Sequence, residues 1–258
     1  LVGSEMCIRD RKMAVMQEES AYIFEKKMEC PICFKEFSAK QVKTGKARFI
    51  GTDDDLRPIH SGVDTVKYDV LFCPLCGYAA VSREFTNITS RQRKNILEGI
   101  ANKFVGVENP EGAYSYDDAI YRYKMAILTA MVKPSKLSEG AYLALKLSWL
   151  YRGALEELKE QEEPSSKYLR AYSMGEAYYK KEAYNGFTKA IASEMPPICG
   201  MDENTLNYLM SVLAYQCEDF DNSQRFAYAV LGSLGASEKI KNKVRELVEK
   251  LKEFKNEK

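Results

Sequence analysis

Four cysteines, arranged in two pairs of identical spacing, are the residues of this sequence with the clearest chemical potential. The pairs read CPIC and CPLC, so two residues separate the cysteines of each pair. That gap lets one turn of the chain aim two sulfurs at the same ion, and zinc prefers four thiolates in a tetrahedral arrangement. Four protein ligands leave no coordination position for a water, so such an ion would stabilise the fold without catalysing a reaction. The spacing predicts one structural Zn²⁺ held by Cys30, Cys33, Cys73 and Cys76.

The residues that flank the cysteines suit tight turns. Pro31 and Pro74 fix φ at the start of each turn, and Gly77 tolerates positive φ where the chain leaves the second one. The alternative is a redox dithiol of the thioredoxin type, which requires a CxxC at a helix N-terminus in a βαβ context. Because the motif is duplicated in turn-rich segments, the sequence favours metal binding over redox chemistry.

The other groups able to bind metal or act as nucleophiles are isolated. His60, the only histidine, lies between the pairs in RPIHSG, where an exposed loop histidine is favoured over a fifth metal ligand. Without a second histidine, two-histidine metalloprotease motifs are excluded. Cys199 and Cys217 have no nearby partner cysteine and are predicted to be buried thiols. The nucleotide-binding runs GxxxxGK[ST] and GxGxxG do not occur.

Composition narrows the class of protein and its compartment. The 258 residues carry a formal net charge of +1, which argues against a surface that binds polyanions through overall charge. No stretch reaches the roughly 18 apolar residues that a membrane span requires, and the N-terminus has no secretory signal pattern. We therefore expect a cytoplasmic protein with no membrane association, whose cysteines bind metal or stay free.

The elements that must position these cysteines divide the chain into three parts. Residues 1–12, LVGSEMCIRDRK, resemble a translated sequencing-adapter read-through and are predicted to be a non-native tail, with Met13 as the native start. A native tail is the alternative. Residues 13–88 are β-prone and turn-rich and are predicted to form a zinc-ribbon-like module. Residues 89–258 show helical periodicity. The predicted fold class is mostly α, with a small β zinc-ribbon-like N-terminal module and C-terminal antiparallel helical hairpins that are tetratricopeptide-like.

Two patterns carry the helical prediction. Ser115 with Asp118 has the form of a capping box, and Met131 is placed on the buried stripe of the helix that follows. Small residues at Ser148, Gly175 and Ser211 resemble the close-packing positions of tetratricopeptide repeats, although their spacing is irregular. A plain helical bundle with well-packed small residues is the alternative.

Four cysteine ligands leave the metal no open coordination position, and the helices resemble a repeat that binds peptides. Together these features predict a non-enzymatic scaffold or adaptor that binds a protein or peptide partner. The predicted partner-binding residues line a groove between hairpins: Tyr142, Lys146, Trp149, Tyr172 and Tyr208. One alternative is a nucleic-acid-binding zinc ribbon that uses the basic segment at Lys35, Lys40, Lys43, Lys46 and Arg48. The other is an enzyme in the helical domain, for which the sequence singles out no acid–base pair. The oligomeric state is not predicted.

A family resemblance rests on two stretches and the helical remainder that follows them. The stretches are CPICFKEFSAKQVKTGKARF and KYDVLFCPLCGYAAV. Over residues 22–258 the chain resembles a bacterial family known as domain of unknown function 2225. The resemblance implies that the four cysteines of the two CPxC pairs are the metal ligands and that the protein is cytoplasmic. It brings no activity with it.

Overall fold

The structure is a computed structural model that describes residues 19–256, without the side chains of residues 255 and 256. The tail predicted at 1–12 and the start predicted at Met13 lie outside the described residues. The chain forms two compact units. Unit 1 contains the residues up to Gly51, Pro58–Ser135 and Lys146–Glu176, and unit 2 contains Thr52–Arg57, Lys136–Leu145 and the residues from Ala177 onward.

Short strand pairs make up the small β part of the chain, and two of them flank the cysteine turns. The strands are β1 (Ile23–Glu29), β2 (Glu36–Val42), β3 (Phe49–Thr52), β4 (Pro58–His60), β5 (Val70–Phe72) and β6 (Ala79–Val81). β1 pairs with β2 and β5 pairs with β6, both antiparallel, while β3 pairs with β4. The first cysteine turn joins β1 to β2, and the second joins β5 to β6. The predicted β module around the cysteines is therefore present.

The rest of the described chain is mainly helical. α1 (Ser90–Ile96) continues into a π-helical turn over Leu97–Ala101. The later helices are α2 (Tyr116–Val132), α3 (Leu137–Lys159), α4 (Ser166–Ser193), α5 (Glu203–Gln216), α6 (Phe220–Gly232) and α7 (Glu238–Asn256). These elements confirm the mostly α fold class with small strand pairs at its N-terminal side. Within residues 19–256, no helix is both long and apolar enough to cross a membrane.

Side-chain caps determine where α1 and α2 begin. Thr89 and Gln92 accept hydrogen bonds from each other's backbone N–H groups, and Ser115 and Asp118 do the same. Each pair satisfies two N–H groups that have no partner inside the helix. The capping box predicted at Ser115 is confirmed. α2 ends before Pro134, because proline restricts the residue that precedes it to an extended conformation.

The core of unit 1 joins the cysteine turns to the helices. Ile96 of α1 is fully buried in the same cluster as Cys30 and Cys73, and Leu97 and Val132 pack against that cluster. Apolar residues before and after residue 88 thus share one core. The predicted bounds 13–88 and 89–258 stay a prediction.

The buried face of α2 differs from the predicted one at its C-terminal end. Ala119, Tyr123, Ala126 and Ala130 are buried, whereas Met131 is 77% exposed. The prediction that Met131 lies on the buried stripe was therefore wrong. From Ala119, steps of four, three and four residues along one face of a straight helix reach Ala130. Met131 lies about 100° around the helix from Ala130, outside that face.

Small residues lie where helices pack closely, as their sequence positions suggested. In unit 2, Ser211 of α5 is fully buried, and its carbonyl accepts a 2.8 Å hydrogen bond from the Ser223 hydroxyl of α6. In unit 1, a Cβ on Gly175 of α4 would lie 2.5 Å from the Tyr151 ring of α3. α5, α6 and α7 bury a common apolar core in unit 2 that includes Tyr208, and the loop between α5 and α6 is short.

Candidate metal centre

The four predicted cysteine ligands converge. All four sulfurs lie within 4.8 Å of one another. The Sγ atoms of Cys30 and Cys76 are 3.6 Å apart, and those of Cys33 and Cys73 are 3.8 Å apart. In a tetrahedron with metal–sulfur bonds of about 2.3 Å, the sulfurs are about 3.8 Å apart, so these distances fit a Zn²⁺-sized ion at the centre.

Each cysteine turn is closed by the same two backbone hydrogen bonds. In the first turn, the Phe34 N–H donates to the Cys30 carbonyl at 2.9 Å, and the Cys30 N–H donates to the Lys35 carbonyl at 3.1 Å. The second turn repeats both bonds, at 2.9 and 2.8 Å, through the corresponding residues Gly77, Cys73 and Tyr78. The repeated pattern makes each CPxC segment a rigid knuckle that presents two sulfurs on one side.

The knuckles also stabilise thiolate charge through their backbone. The Ile32 N–H lies 3.5 Å from the Cys30 sulfur and donates to it. Cys30, Cys73 and Cys76 are buried, and Cys33 is half-buried. A buried anion requires nearby donors or a cation, because burial disfavours the charged form.

The pKa values of the thiols show what the cluster does without a cation. Hydrogen bonds that Cys73 accepts from Cys30 and Cys76 lower its pKa to about 2. Hydrogen bonding to Cys73 raises the pKa of Cys30 to about 12, and hydrogen bonding to Cys30 raises the pKa of Cys76 as well. Hydrogen bonding within the cluster therefore favours the thiolate form of Cys73 and disfavours that of Cys30 and Cys76. A divalent cation at the centre would allow all four to ionise.

Arg93 of α1 is a residue of this centre that the sequence did not reveal. Its Nε and Nη2 groups donate to the Ile32 carbonyl at 3.2 and 2.9 Å, so α1 is tied to the first knuckle. Its guanidinium carbon lies 4.3 Å from the centroid of the Phe34 ring. The hydrogen bonds to Ile32 join residues 61 positions apart, and no spacing rule along the chain predicts such a pair.

The other cysteines and the histidine lie apart from the cluster. His60 is in β4, where its Nδ1 lies 3.2 Å from the Thr65 hydroxyl and its ring packs against Phe49. Cys199 and Cys217 were predicted to be buried thiols, and both are half-buried. Burial raises the pKa of Cys217. Within the described residues, the four knuckle cysteines are the one group that could hold a metal ion.

The predicted partner-binding residues of unit 1 are largely enclosed. Lys146 and Trp149 of α3 are buried. Tyr172 of α4 is half-buried, and its hydroxyl donates to Asp117 at 3.0 Å. In this unit, two of the three predicted residues offer little surface to a partner.

The predicted partner-binding residues of unit 2 are also covered to different degrees. Tyr208 of α5 is 1% exposed, and its hydroxyl donates to the Asp54 carbonyl at 2.8 Å. Tyr142 of α3 is half-buried. The side chain of Tyr208 therefore belongs to the core of unit 2.

The basic segment predicted for the nucleic-acid alternative is divided between interior and surface. Lys40 is buried, its ammonium donates to the Pro110 carbonyl, and burial lowers its pKa. Lys43 donates to the Ala21 carbonyl at 3.0 Å. Lys35, Lys46 and Arg48 are exposed. The segment thus presents fewer free charges than its sequence suggests.

Comparisons with known proteins agree with the family resemblance. The chain is 26% identical over 186 residues to a protein of Borreliella burgdorferi named "Uncharacterized protein". The alignment covers 64% of the present chain and 62% of that relative, so the chain spans less than two-thirds of the relative's length. No solved structure matches the chain. The sequence profile of the family described as "Uncharacterized protein conserved in bacteria (DUF2225)" matches residues 23–251, a span that includes both knuckles and the helices, and the chain belongs to this family.

Proposed function

We propose that this protein is a non-enzymatic, zinc-stabilised adaptor that binds a protein or peptide partner through its helices. The observation that carries the proposal is the closed set of four converging sulfurs. A tetrahedral centre of four thiolates holds a metal without a vacant position, so the ion serves the fold. Catalysis by the ion would require an open coordination position that four protein ligands do not leave.

The choice of zinc rests on the donor set. Four thiolates in a tetrahedron suit Zn²⁺ or iron among the biological metals. The core around the sulfurs also contains Phe37, Tyr78 and Phe85, and such a dry surrounding suits a structural site. Mass spectrometry of the native protein distinguishes the metals. We expect one zinc per chain and no visible absorption, whereas an iron–thiolate centre would colour the protein.

The exposed side of α4 in unit 1 supports the partner-binding proposal. Tyr168 and Met174 are 53% and 63% exposed, and Ala171 between them is exposed as well. On a helix, positions 168, 171 and 174 lie on adjoining parts of one side. Tyrosine and methionine are enriched at protein interfaces relative to other surfaces. This patch is a better candidate than the groove predicted from the sequence, since Trp149 and Tyr208 are buried.

Partner capture with the zinc-loaded full chain tests the adaptor role. The double variant Tyr168→Glu and Met174→Glu places charge on the α4 patch, and Met195→Glu places the same charge on another exposed methionine. We expect a partner that the wild type and Met195→Glu retain and that the double variant loses. If the same proteins bound all three chains, the α4 patch would have no role in adaptor binding.

A further inference from the structure

The two knuckles differ at one equivalent position. Phe34 and Gly77 each donate the N–H that closes their knuckle, and both have positive φ, at 57° and 75°. Glycine adopts this left-handed conformation without steric cost, whereas a bulky side chain is strained there. Gly77 shows that glycine is enough to close a knuckle at this position. The first knuckle nevertheless has a large aromatic residue there. Strained residues of this kind occur preferentially at functional sites.

Phe34 is also exposed at the surface. The residue is 59% exposed, although burial of a phenylalanine ring is a main source of folding free energy. Arg93 covers one side of the ring at 4.3 Å, while its own Nε and Nη2 groups donate to the Ile32 carbonyl. The ring is thus held in position at the surface by a cation that is itself fixed to the knuckle.

Positive charge flanks this ring, on Arg93 in space and on Lys35 in sequence. Lys35 follows Phe34 and is exposed, and within residues 19–256 neither Lys35 nor Arg93 forms an ion pair with a carboxylate. Arg93 also keeps Nη1 donors that make no hydrogen bond in the described chain. An anionic ligand at the ring would meet Arg93 there, and Lys35 is adjacent to the ring in sequence.

We propose that Phe34, Lys35 and Arg93 form a binding site for single-stranded nucleic acid. A base stacks on the open face of the Phe34 ring, and adjacent phosphates pair with Lys35 and Arg93. Exposed aromatic rings with neighbouring cations are the usual means of binding single strands without sequence preference, since every base has a π-face. The site shares Lys35 with the basic segment considered from the sequence, but its ring and its second cation, Phe34 and Arg93, are not among the basic residues of that segment. The proposal does not depend on the protein-binding role of the helices.

Two phosphate contacts imply a modest salt dependence. Each contact to a single strand contributes a slope of about −0.7 to the plot of log affinity against log salt, so two contacts give about −1.4. Fluorescence anisotropy of a labelled oligothymidylate or oligouridylate, titrated with the zinc-loaded full chain, measures both affinity and slope.

Phe34→Gly is the decisive variant, because the second knuckle contains glycine at the same position. This substitution removes the ring and the backbone strain together, so zinc content and helicity should stay unchanged. We expect binding at least tenfold weaker. Phe34→Leu is the second variant, since it retains a bulky apolar side chain at the same strained position without a π-face, and it should weaken binding similarly. Phe49→Gly, which removes another exposed aromatic ring of unit 1, should leave binding unchanged.

Three results would overturn the proposal. The first is no oligonucleotide binding by the wild type at low salt and tens of micromolar protein. The second is equal binding by the wild type and both Phe34 variants. The third is loss of a protein partner in the Phe34 variants with no oligonucleotide binding by any chain, which would make the knuckle a protein-binding surface instead.

Discussion

The ammonium group of Lys146 on α3 pairs with the carboxylate of Asp69, which lies just before β5. The Lys146 side chain is 8% exposed and that of Asp69 is 38% exposed, so the lysine charge is buried while the carboxylate still reaches solvent. A buried lysine charge requires a partner. Lys146 therefore ties α3 to the strand region of unit 1, which is a structural role and differs from the partner-binding role predicted from the sequence.

Substitution of Lys146 should accordingly reduce stability. We expect Lys146→Ala to lower the free energy of unfolding by about 2 kcal/mol, because it removes both the ion pair and the packing of the alkyl stem. Lys146→Met keeps the stem and should cost less. Urea unfolding followed by fluorescence measures the effect, since Trp149 is the only tryptophan and is buried in the same unit.

The control for this prediction is Lys46→Met, because Lys46 is exposed. Exposed substitutions of this kind usually change stability by less than about 0.5 kcal/mol. A Lys146→Ala chain that unfolds at the same urea concentration as the wild type but loses a partner would favour the role predicted from the sequence over the structural one.

Metal removal should destabilise helices as well as strands. Ile96, Leu97 and Val132 pack on the cluster that contains the cysteines, so α1 and the end of α2 depend on the knuckles. We expect Cys76→Ser to reduce the metal content below one ion per chain and to lower the stability of unit 1 by several kcal/mol, because thiolate–metal binding and folding are coupled. Circular dichroism and the Trp149 emission maximum report the two effects.

Cys199→Ser is the matched control, since Cys199 lies outside the four-sulfur cluster. It should leave the metal content and the emission maximum unchanged. Equal metal content in Cys76→Ser and in the wild type would contradict a metal site at the four cysteines.

What the sequence could predict depends on the range of the interactions involved. The knuckles were predictable because each is closed by hydrogen bonds between residues five or fewer positions apart, such as Phe34 to Cys30. The capping box at Ser115 is local in the same sense. Such features follow from residue type and spacing, with no knowledge of what packs against them.

Features that depend on tertiary contacts were not predictable. Periodicity assigned Trp149 and Tyr208 to an open groove, but a helical stripe does not show which element covers it, and both side chains are buried. The bracing of Phe34 by Arg93 joins two distant segments. The core that joins Ile96 to Cys30 and Cys73 crosses residue 88, and hydrophobic periodicity alone does not show which segments share a core.

The contact between Gly175 and Tyr151 predicts an unusual response to alanine. Alanine normally stabilises a helix interior relative to glycine by about 1 kcal/mol. At Gly175 a Cβ would lie 2.5 to 2.7 Å from three atoms of the Tyr151 ring, which is buried. We therefore expect Gly175→Ala to lower the free energy of unfolding by about 1–3 kcal/mol, the usual cost of overpacking. Thermal unfolding followed by circular dichroism measures the change.

Gly140 provides the matched comparison, because it lies in α3 with no atom within 4 Å of its added Cβ. Gly140→Ala should raise the stability by up to about 1 kcal/mol. In the double variant Gly175→Ala, Tyr151→Leu, the smaller side chain should recover part of the loss. If Gly175→Ala stabilised the chain as much as Gly140→Ala, then α3 and α4 would not pack closely at this point.

Asp219, which caps the N-terminus of α6, should make part of the stability of unit 2 depend on pH. Its carboxylate accepts hydrogen bonds from the Asn222 backbone at 3.2 Å and from the Tyr184 hydroxyl at 2.8 Å. The Asn222 side chain, followed by the Tyr184 hydroxyl, lowers the pKa of Asp219 below its usual 3.8. Burial raises the pKa of Tyr184 to about 12, so the phenol remains a donor at neutral pH.

The sign of the pH dependence follows from the lowered pKa. The unfolded chain binds a proton at Asp219 at higher pH than the native chain does, so the stabilising contribution is complete above about pH 4 and is lost as the pH falls through the native pKa. At pH 7 we expect Asp219→Ala to cost about 1 kcal/mol, the usual value of an N-cap. Near pH 3 the difference in stability between this variant and the wild type should shrink.

Asp219→Asn keeps an oxygen that can cap α6 but does not ionise, so at pH 7 it should lower the stability less than Asp219→Ala does. Metal release in acid affects all chains alike, so thermal unfolding is compared between chains at the same pH. A cost of Asp219→Ala that stayed constant from pH 7 to pH 3 would show that the cap acts without its charge.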